Sequence, residues 1–249
     1  MEGAYLGFEE SEEEIESYLN SLDVKYHKFS DEVQLLDVVS DEIANGKVVG
    51  WHMGKMEFGP RALGHRSILG DPRDENMQSK MNLKIKYRES FRPFAPSVLR
   101  EHVSEWFDLD IDSPYMLFTA NIKSDKLCDI EPKDFKEKSM QEILKVRRSL
   151  VPAVTHIDGS ARLQTVTEER NGRYYRLIAQ FYKKTGSPMV INTSFNVRGE
   201  PIVCTAEDSY RCFMRTEMDI LVLENMILYK GEQPKQSIGS DWQGEFELD

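Results

Sequence analysis

Apolar positions recur along this chain with two different periods. Val33, Leu36, Val39 and Ile43 fall three or four apart and run out at Gly46, which predicts an amphipathic helix. Val48-Val49-Gly50-Trp51 follows at once as a short strand. Met77, Met81 and Ile85, four apart between Asp74 and Tyr87, predict a second helix with Lys84 and Lys86 off its apolar stripe. Residues 94–99, 116–122, 161–166 and 189–192 read as strands, and 174–185 and 206–215 as helices. Near the end, two apolar runs at 220–223 and 226–229 flank Glu224-Asn225 and predict a hairpin. Ser11 and Glu14 form a capping box ahead of Ile15, Tyr18 and Leu19, the signature of a short helix. Helical and strand patterns alternate, so the fold class is mixed, α/β (α+β).

The ends differ in composition from the middle. Residues 1–30 are acidic and read as a linker or N-terminal appendage, 31–230 as the core, and 231–249, lacking a periodic apolar face, as a mobile tail. The charged stretch 123–148 interrupts the pattern and is expected to be a lid or an insertion. With 249 residues and 40% hydrophobic content, the chain can bury a substantial core. Its net charge of −11 argues against coating nucleic acid by bulk electrostatics, so any anion site has to be focused. Cys128, Cys204 and Cys212 have no metal-type spacing and read as reduced thiols, which fits a reducing, cytoplasmic setting. No apolar run reaches the roughly 20 residues that span a bilayer, and the N-terminus lacks the order of a signal peptide.

Four polar clusters carry the candidate chemistry. In Lys55–Ser67, Gly59 and Gly64 let backbone N–H groups turn inward while Lys55, Arg61 and Arg66 supply charge, a loop suited to a phosphate or carboxylate. Asn82–Pro93 brings Lys84, Lys86, Arg88 and Arg92 to the end of a helix that a proline stops. In His156–Thr165 a turn at Asp158-Gly159 leads into a strand whose period of two puts Arg162 and Gln164 on one face. His156 and Asp158 are explained equally well as partners within that turn. In Val190–Pro201, polar residues follow an apolar strand abruptly, and Asn192, Ser194 and Asn196 share a face if the chain stays extended.

Taken together, Gly59-Pro-Arg-Ala-Leu-Gly64 with Arg66-Ser67, Lys86-x-Arg88 with Phe91-Arg92-Pro93, His156-x-Asp-Gly-Ser-Ala-Arg162-x-Gln164, and Asn192-Thr-Ser-Phe-Asn196 with Gly199-Glu200-Pro201 resemble the C-terminal domain of the O-carbamoyltransferases of nodulation-factor and antibiotic biosynthesis. The resemblance covers roughly residues 31 to 230. The pairs Lys86-x-Arg88 and Ser194-x-Asn196 also resemble the signature of the wider YrdC-like fold. That fold implies an open, twisted mixed sheet flanked by helices, with a concave basic cavity.

The resemblance implies an activation reaction, in which carbamoyl phosphate and ATP give carbamoyl adenylate, phosphate and pyrophosphate. It implies that Lys86, Arg92, Arg162, Asn192 and Ser194 bind carbamoyl phosphate, with Lys86, Arg92, Arg162 and Ser194 as the catalytic set. It assigns Arg61, Arg66, Ser67, Arg88 and Asn196 to ATP. Mg²⁺ is expected to ride on ATP, with no dedicated metal site in the protein. A separate N-terminal metal-binding domain, in the same polypeptide or as a second chain, would transfer the carbamoyl group to a hydroxyl. Two other readings stay open, a non-catalytic nucleotide or anion module and an RNA-binding domain, the latter weakened by the acidic net charge.

Overall fold

The computed structural model describes residues 3–129, 142 and 146–234. In chain order its strands are β1 (His27–Lys28), β2 (Val49–His52), β3 (Arg66–Gly70), β4 (Ala95–Leu99), β5 (Thr119–Asn121), β6 (Ser160–Arg162), β7 (Gln164–Val166), β8 (Met189–Ser194), β9 (Ile220–Leu223) and β10 (Met226–Tyr229). The helices are α1 (Glu12–Ser21), α2 (Glu32–Ala44), α3 (Met77–Lys84), the single turn α4 (Val103–Trp106), α5 (Glu168–Thr185) and α6 (Ala206–Arg215). Among the described residues the main sheet has eight strands in the order β1-β10-β9-β2-β3-β8-β4-β7, and β5 pairs with β6 apart from it. The β2–β9 and β4–β7 pairs are parallel and the others antiparallel. This is the open mixed sheet flanked by helices that the resemblance implies.

Strand alternation sorts the apolar residues into two layers. Ile220 and Val222 of β9 and Val190 of β8 join Leu35, Leu36, Val39 and Ile43 of α2 and Leu177, Ile178 and Phe181 of α5 on one face. Leu221, Leu223, Met189 and Ile191 join Ile15 and Leu19 of α1, Met77 and Met81 of α3, and Phe213 of α6 on the other. Every residue of β2, β3, β4 and β9 is buried, as central strands covered on both sides are, and this includes the polar His52, Arg66, Ser67 and Ser97.

Three expectations are corrected. The acidic first 30 residues are not an appendage. The predicted capping box is present, but α1 buries Ile15 and Leu19 in the common core, and β1 pairs with β10 at the edge of the sheet. The loop expected over Lys55–Ser67 gives way at Arg66 to strand β3, which lies between β2 and β8. The segment 161–166 is two strands, since the chain leaves the small sheet after Arg162 and joins the main sheet at Gln164. Arg162 and Gln164 therefore belong to different sheets. Most of the expected lid at 123–148, and the tail beyond residue 234, lie outside the described residues.

Gly64 is where the fold tolerates least. Its φ of +112° lies in the region that only glycine enters easily, and a Cβ there would stand 2.1 Å from the Tyr174 ring on α5. Gly64→Ala is expected to lower the unfolding free energy by about 2–5 kcal/mol, combining backbone strain with overpacking. Urea denaturation with an unchanged midpoint would contradict this packing.

Candidate functional site

Strand β8 is apolar through Ile191 and then turns polar, and a cavity of 350 Å³ opens where it ends. Lys86, Arg88 and Arg92 line it from the segment after α3, Ser194 from the end of β8, and Asn196 and Arg198 from the segment that follows. Four cations and one acid, Glu200, are among its walls, so a strongly acidic chain keeps a focused positive site.

Lys86 organises this cavity from beneath. Its side chain is buried, and Nζ donates to the carbonyl of Ser194, to Ser194 Oγ at 3.2 Å, to the Asn196 carbonyl at 2.9 Å and to Asn196 Oδ1 at 2.7 Å. Ser194 Oγ in turn donates to Asn196 Oδ1 (2.7 Å), and Asn196 Nδ2 to the Glu200 carbonyl (2.7 Å). The loop after β8 is thus wound around one ammonium group. None of the four oxygens is a carboxylate, and burial, reinforced by the neighbouring Arg88 charge, pushes the Lys86 pKa down to about 7. Arg88 donates from Nε to Asn82 Oδ1 (2.6 Å) and lies over the Phe94 ring. Burial, then Arg92, brings its pKa down to about 10. Asn82 fixes the turn itself by donating to the carbonyls of Ser90 and Arg92.

The glycine loop does something other than its composition suggests. Its inward N–H groups do meet an anion, but that anion is the protein's own Glu57. Glu57 Oε1 accepts from the N–H groups of Leu63 (2.7 Å), His65 (2.8 Å) and Arg66 (3.3 Å). Ser67 Oγ accepts from the Gly64 N–H (3.0 Å), and the Gly64 carbonyl accepts from Trp51 Nε1 (2.9 Å). Arg66, expected on ATP phosphates, has no exposed surface. Its guanidinium donates to the carbonyls of Met53, Gly54, His65, Cys204 and Phe8. Arg66 and Ser67 are therefore internal struts, and Arg61, exposed in the same loop, is the loop arginine facing solvent.

The remaining residues lie deeper or further along. Asn192 is buried and donates to the Ala62 carbonyl, Ser97 Oγ and Gln164 Oε1. Arg162 is half-buried with its Nε hidden and without a hydrogen-bond partner among the described residues. Burial, then the charge of Arg61, lowers its pKa. Of the ten residues singled out from the sequence, Lys86, Arg88, Arg92, Ser194 and Asn196 share the cavity wall. Sequence reasoning missed Arg198 and Asn82, although both stood inside quoted clusters, and Glu57, whose place between Met56 and Phe58 gives no cue. His156 bonds Ser160 Oγ, and Asp158 caps the Ser160 N–H, the turn role left open for both. Among the described residues no three His, Cys, Asp or Glu gather to hold a metal, and no helix is long and apolar enough to cross a membrane.

Residues 40–230 match the family described as Carbamoyltransferase C-terminus. The chain belongs to that family. It is 56% identical to an uncharacterized protein of Synechocystis sp., over 100% of this chain and 40% of that one. It is 43% identical to nodulation protein NolNO of Sinorhizobium fredii, over 76% of this chain and 25% of the relative. With the 3'-hydroxymethylcephem-O-carbamoyltransferase of Amycolatopsis lactamdurans it shares 34% identity, over 69% of this chain and 28% of the other. The chain thus spans well under half the length of these relatives, and the motifs that carried the resemblance fall inside the matched region.

The depressed Lys86 pKa has a definite sign in this carbamoyltransferase-family domain. Folded Lys86 titrates near 7 and the unfolded side chain near 10.5. Between these values the unfolded state binds more protons, so stability rises with pH. Below about 7 the penalty for a buried charge is present in full. Relative to Lys86→Met, the parent should gain unfolding free energy steadily from about pH 7 to about pH 10. Paired melting curves whose difference is flat over that range would exclude a depressed pKa.

Proposed function

We propose that this domain binds carbamoyl phosphate beside ATP and forms carbamoyl adenylate, which a separate N-terminal domain uses to carbamoylate a hydroxyl. The observation that carries the reading is the cation-lined cavity at the carboxyl end of β8. Family membership supports the reaction class. The name of the Amycolatopsis relative supports a hydroxyl as acceptor.

In this reading carbamoyl phosphate reacts with water to give carbamate and inorganic phosphate. A carbamate oxygen then attacks the α-phosphorus of ATP, forming the carbamoyl–AMP bond as the bond to pyrophosphate breaks. Arg92 and Ser194 serve the phosphate of the first substrate. Lys86 holds Ser194 and Asn196 in place beneath it, and Arg88 adds charge. Arg162 offers its unused buried N–H, and exposed Arg61 meets the triphosphate. Catalysis rests on positioning and on charge stabilisation at oxygens where negative charge grows. Magnesium arrives on the ATP phosphates, which supply oxygen ligands of their own. The transfer domain, whether in the same polypeptide or on another, chooses the acceptor.

A second reading, a nucleotide or anion module without turnover, is favoured by one fact. The Lys86 ammonium is already bonded to protein oxygens, as a purely structural lysine would be. Pyrophosphate release separates the two. Release from ATP that requires carbamoyl phosphate is expected. ATP binding without release, even with the transfer domain supplied, would leave only the module. Arg92→Ala is expected to weaken carbamoyl phosphate binding by about 1.5–3 kcal/mol in calorimetric titration, the range for a hydrogen bond to a charged group.

A further inference from the structure

A second cavity, of 640 Å³, opens where β9 begins and β10 ends. β9 runs parallel to β2, and β3 is antiparallel to both β2 and β8, so this opening lies at the end of the sheet opposite to the carboxyl end of β8. Glu42, Lys47, Glu217, Asp219, Tyr229 and Lys230 are among the residues that line it.

Lys230 is held unlike the other lysines. Lys28, Lys80, Lys84 and Lys184 each have a carboxylate within 3.0 Å, a partner that keeps the amine protonated and its lone pair occupied. Lys86 is buried and donates to four oxygens. Lys55 and Lys183 lie exposed on the surface. Lys230 is half-buried in the cavity wall and forms no ion pair among the described residues. Its Nζ donates to the Phe213 carbonyl near the end of α6 and stands 4.0 Å from the centre of the Phe213 ring. That carbonyl does not depend on the lysine, because it also accepts from the Thr216 N–H and from Thr216 Oγ1, each at 3.2 Å.

The ionisable groups around this amine are Asp219 at the start of β9, Glu42 of α2, Lys47 ahead of β2, Glu217, the adjacent Tyr229 and, from the core side, Cys212 of α6. Burial outweighs the opposing effects of Cys212 and Asp219 and brings the Lys230 pKa down to about 8. A free amine is therefore present near neutral pH, beside open space.

We propose that Lys230 is a modification site, the amine at which this protein is carbamoylated by isocyanic acid. The walls select the electrophile. Three carboxylates, Glu42, Glu217 and Asp219, stand against the two ammonium groups of Lys47 and Lys230, so a phosphate dianion is disfavoured there and a small neutral molecule is not. The Nζ lone pair forms a bond to the carbon of isocyanic acid, the C=N π pair moves to its nitrogen, and the proton shed by Nζ joins that nitrogen. No group leaves, and nothing is oxidised or reduced. The product is a urea whose remaining Nζ–H still reaches the Phe213 carbonyl. The inference goes beyond the proposed function and takes from it only a source of the reagent. Carbamoyl phosphate in water gives cyanate and phosphate when its C–O bond to phosphate breaks and its nitrogen loses a proton.

The test is peptide-resolved mass spectrometry of the folded full chain in potassium cyanate near neutral pH. Lys230 is expected to gain a carbamoyl group about tenfold faster than Lys55 and Lys183, since a larger share of it is unprotonated. Lys230→Arg keeps the charge and should lose this product while Lys55 and Lys183 react as before. At fixed total cyanate the Lys230 rate should stay level up to about pH 8 and fall above it, because the amine is then already free while isocyanic acid goes on ionising. A Lys230 rate no faster than at Lys55 and Lys183, or one that stays level to about pH 10, overturns the inference. Acetylation of Lys230 by acetyl phosphate with the same preference overturns the choice of electrophile. These comparisons are made within the parent chain, so they decide even if Lys230→Arg fails to fold. None of them bears on the proposed function, which pyrophosphate release tests separately.

Discussion

A guanidinium removed from water has to find acceptors for its five N–H groups, and Arg66 finds them entirely in the backbone. Its partners are carbonyls of the N-terminal segment, of the chain just past β2, of the glycine loop and of the approach to α6. Because Arg66 opens β3, the strand beside β8, this one side chain ties four separate stretches to the middle of the sheet. The charge is not left bare. Burial lowers its pKa, while Glu57, Glu224 and Glu10 act in the opposite sense.

The same requirement shapes the cavity one strand away. A loop following a buried strand has backbone carbonyls to satisfy, and Lys86 meets those of Ser194 and Asn196 together with their side chains. The outcome is a wall tied together by the protein's own hydrogen bonds, with the Arg88 side chain and the Arg92 carbonyl held in turn by Asn82. Pre-organisation of this kind lowers what a small anion must spend on ordering its site.

Glu57 and Asn192 show two ways of treating buried polar groups. Glu57 occupies a nest of N–H groups, so these backbone donors of the glycine loop are already satisfied within the protein. Asn192, in contrast, has its donor end saturated and its acceptor end unused. Stability explains the first arrangement.

Local spacing by itself determined the α2 and α6 helices, the closing hairpin and the cap of α1, because these depend on neighbouring residues and on burial of one stripe. The ordered motifs likewise determined the family. What the tertiary structure decided is which charges face solvent, a matter of which strand lies beside which. Arg66 and Arg61 stand in one motif, yet one is a strut and the other is exposed, since β3 is enclosed between β2 and β8. Arg162 and Gln164 are separated by a change of sheet that an alternating pattern cannot announce. The direction of the Asn192 amide follows from carbonyls more than 100 residues away in sequence, and no local rule reaches that far.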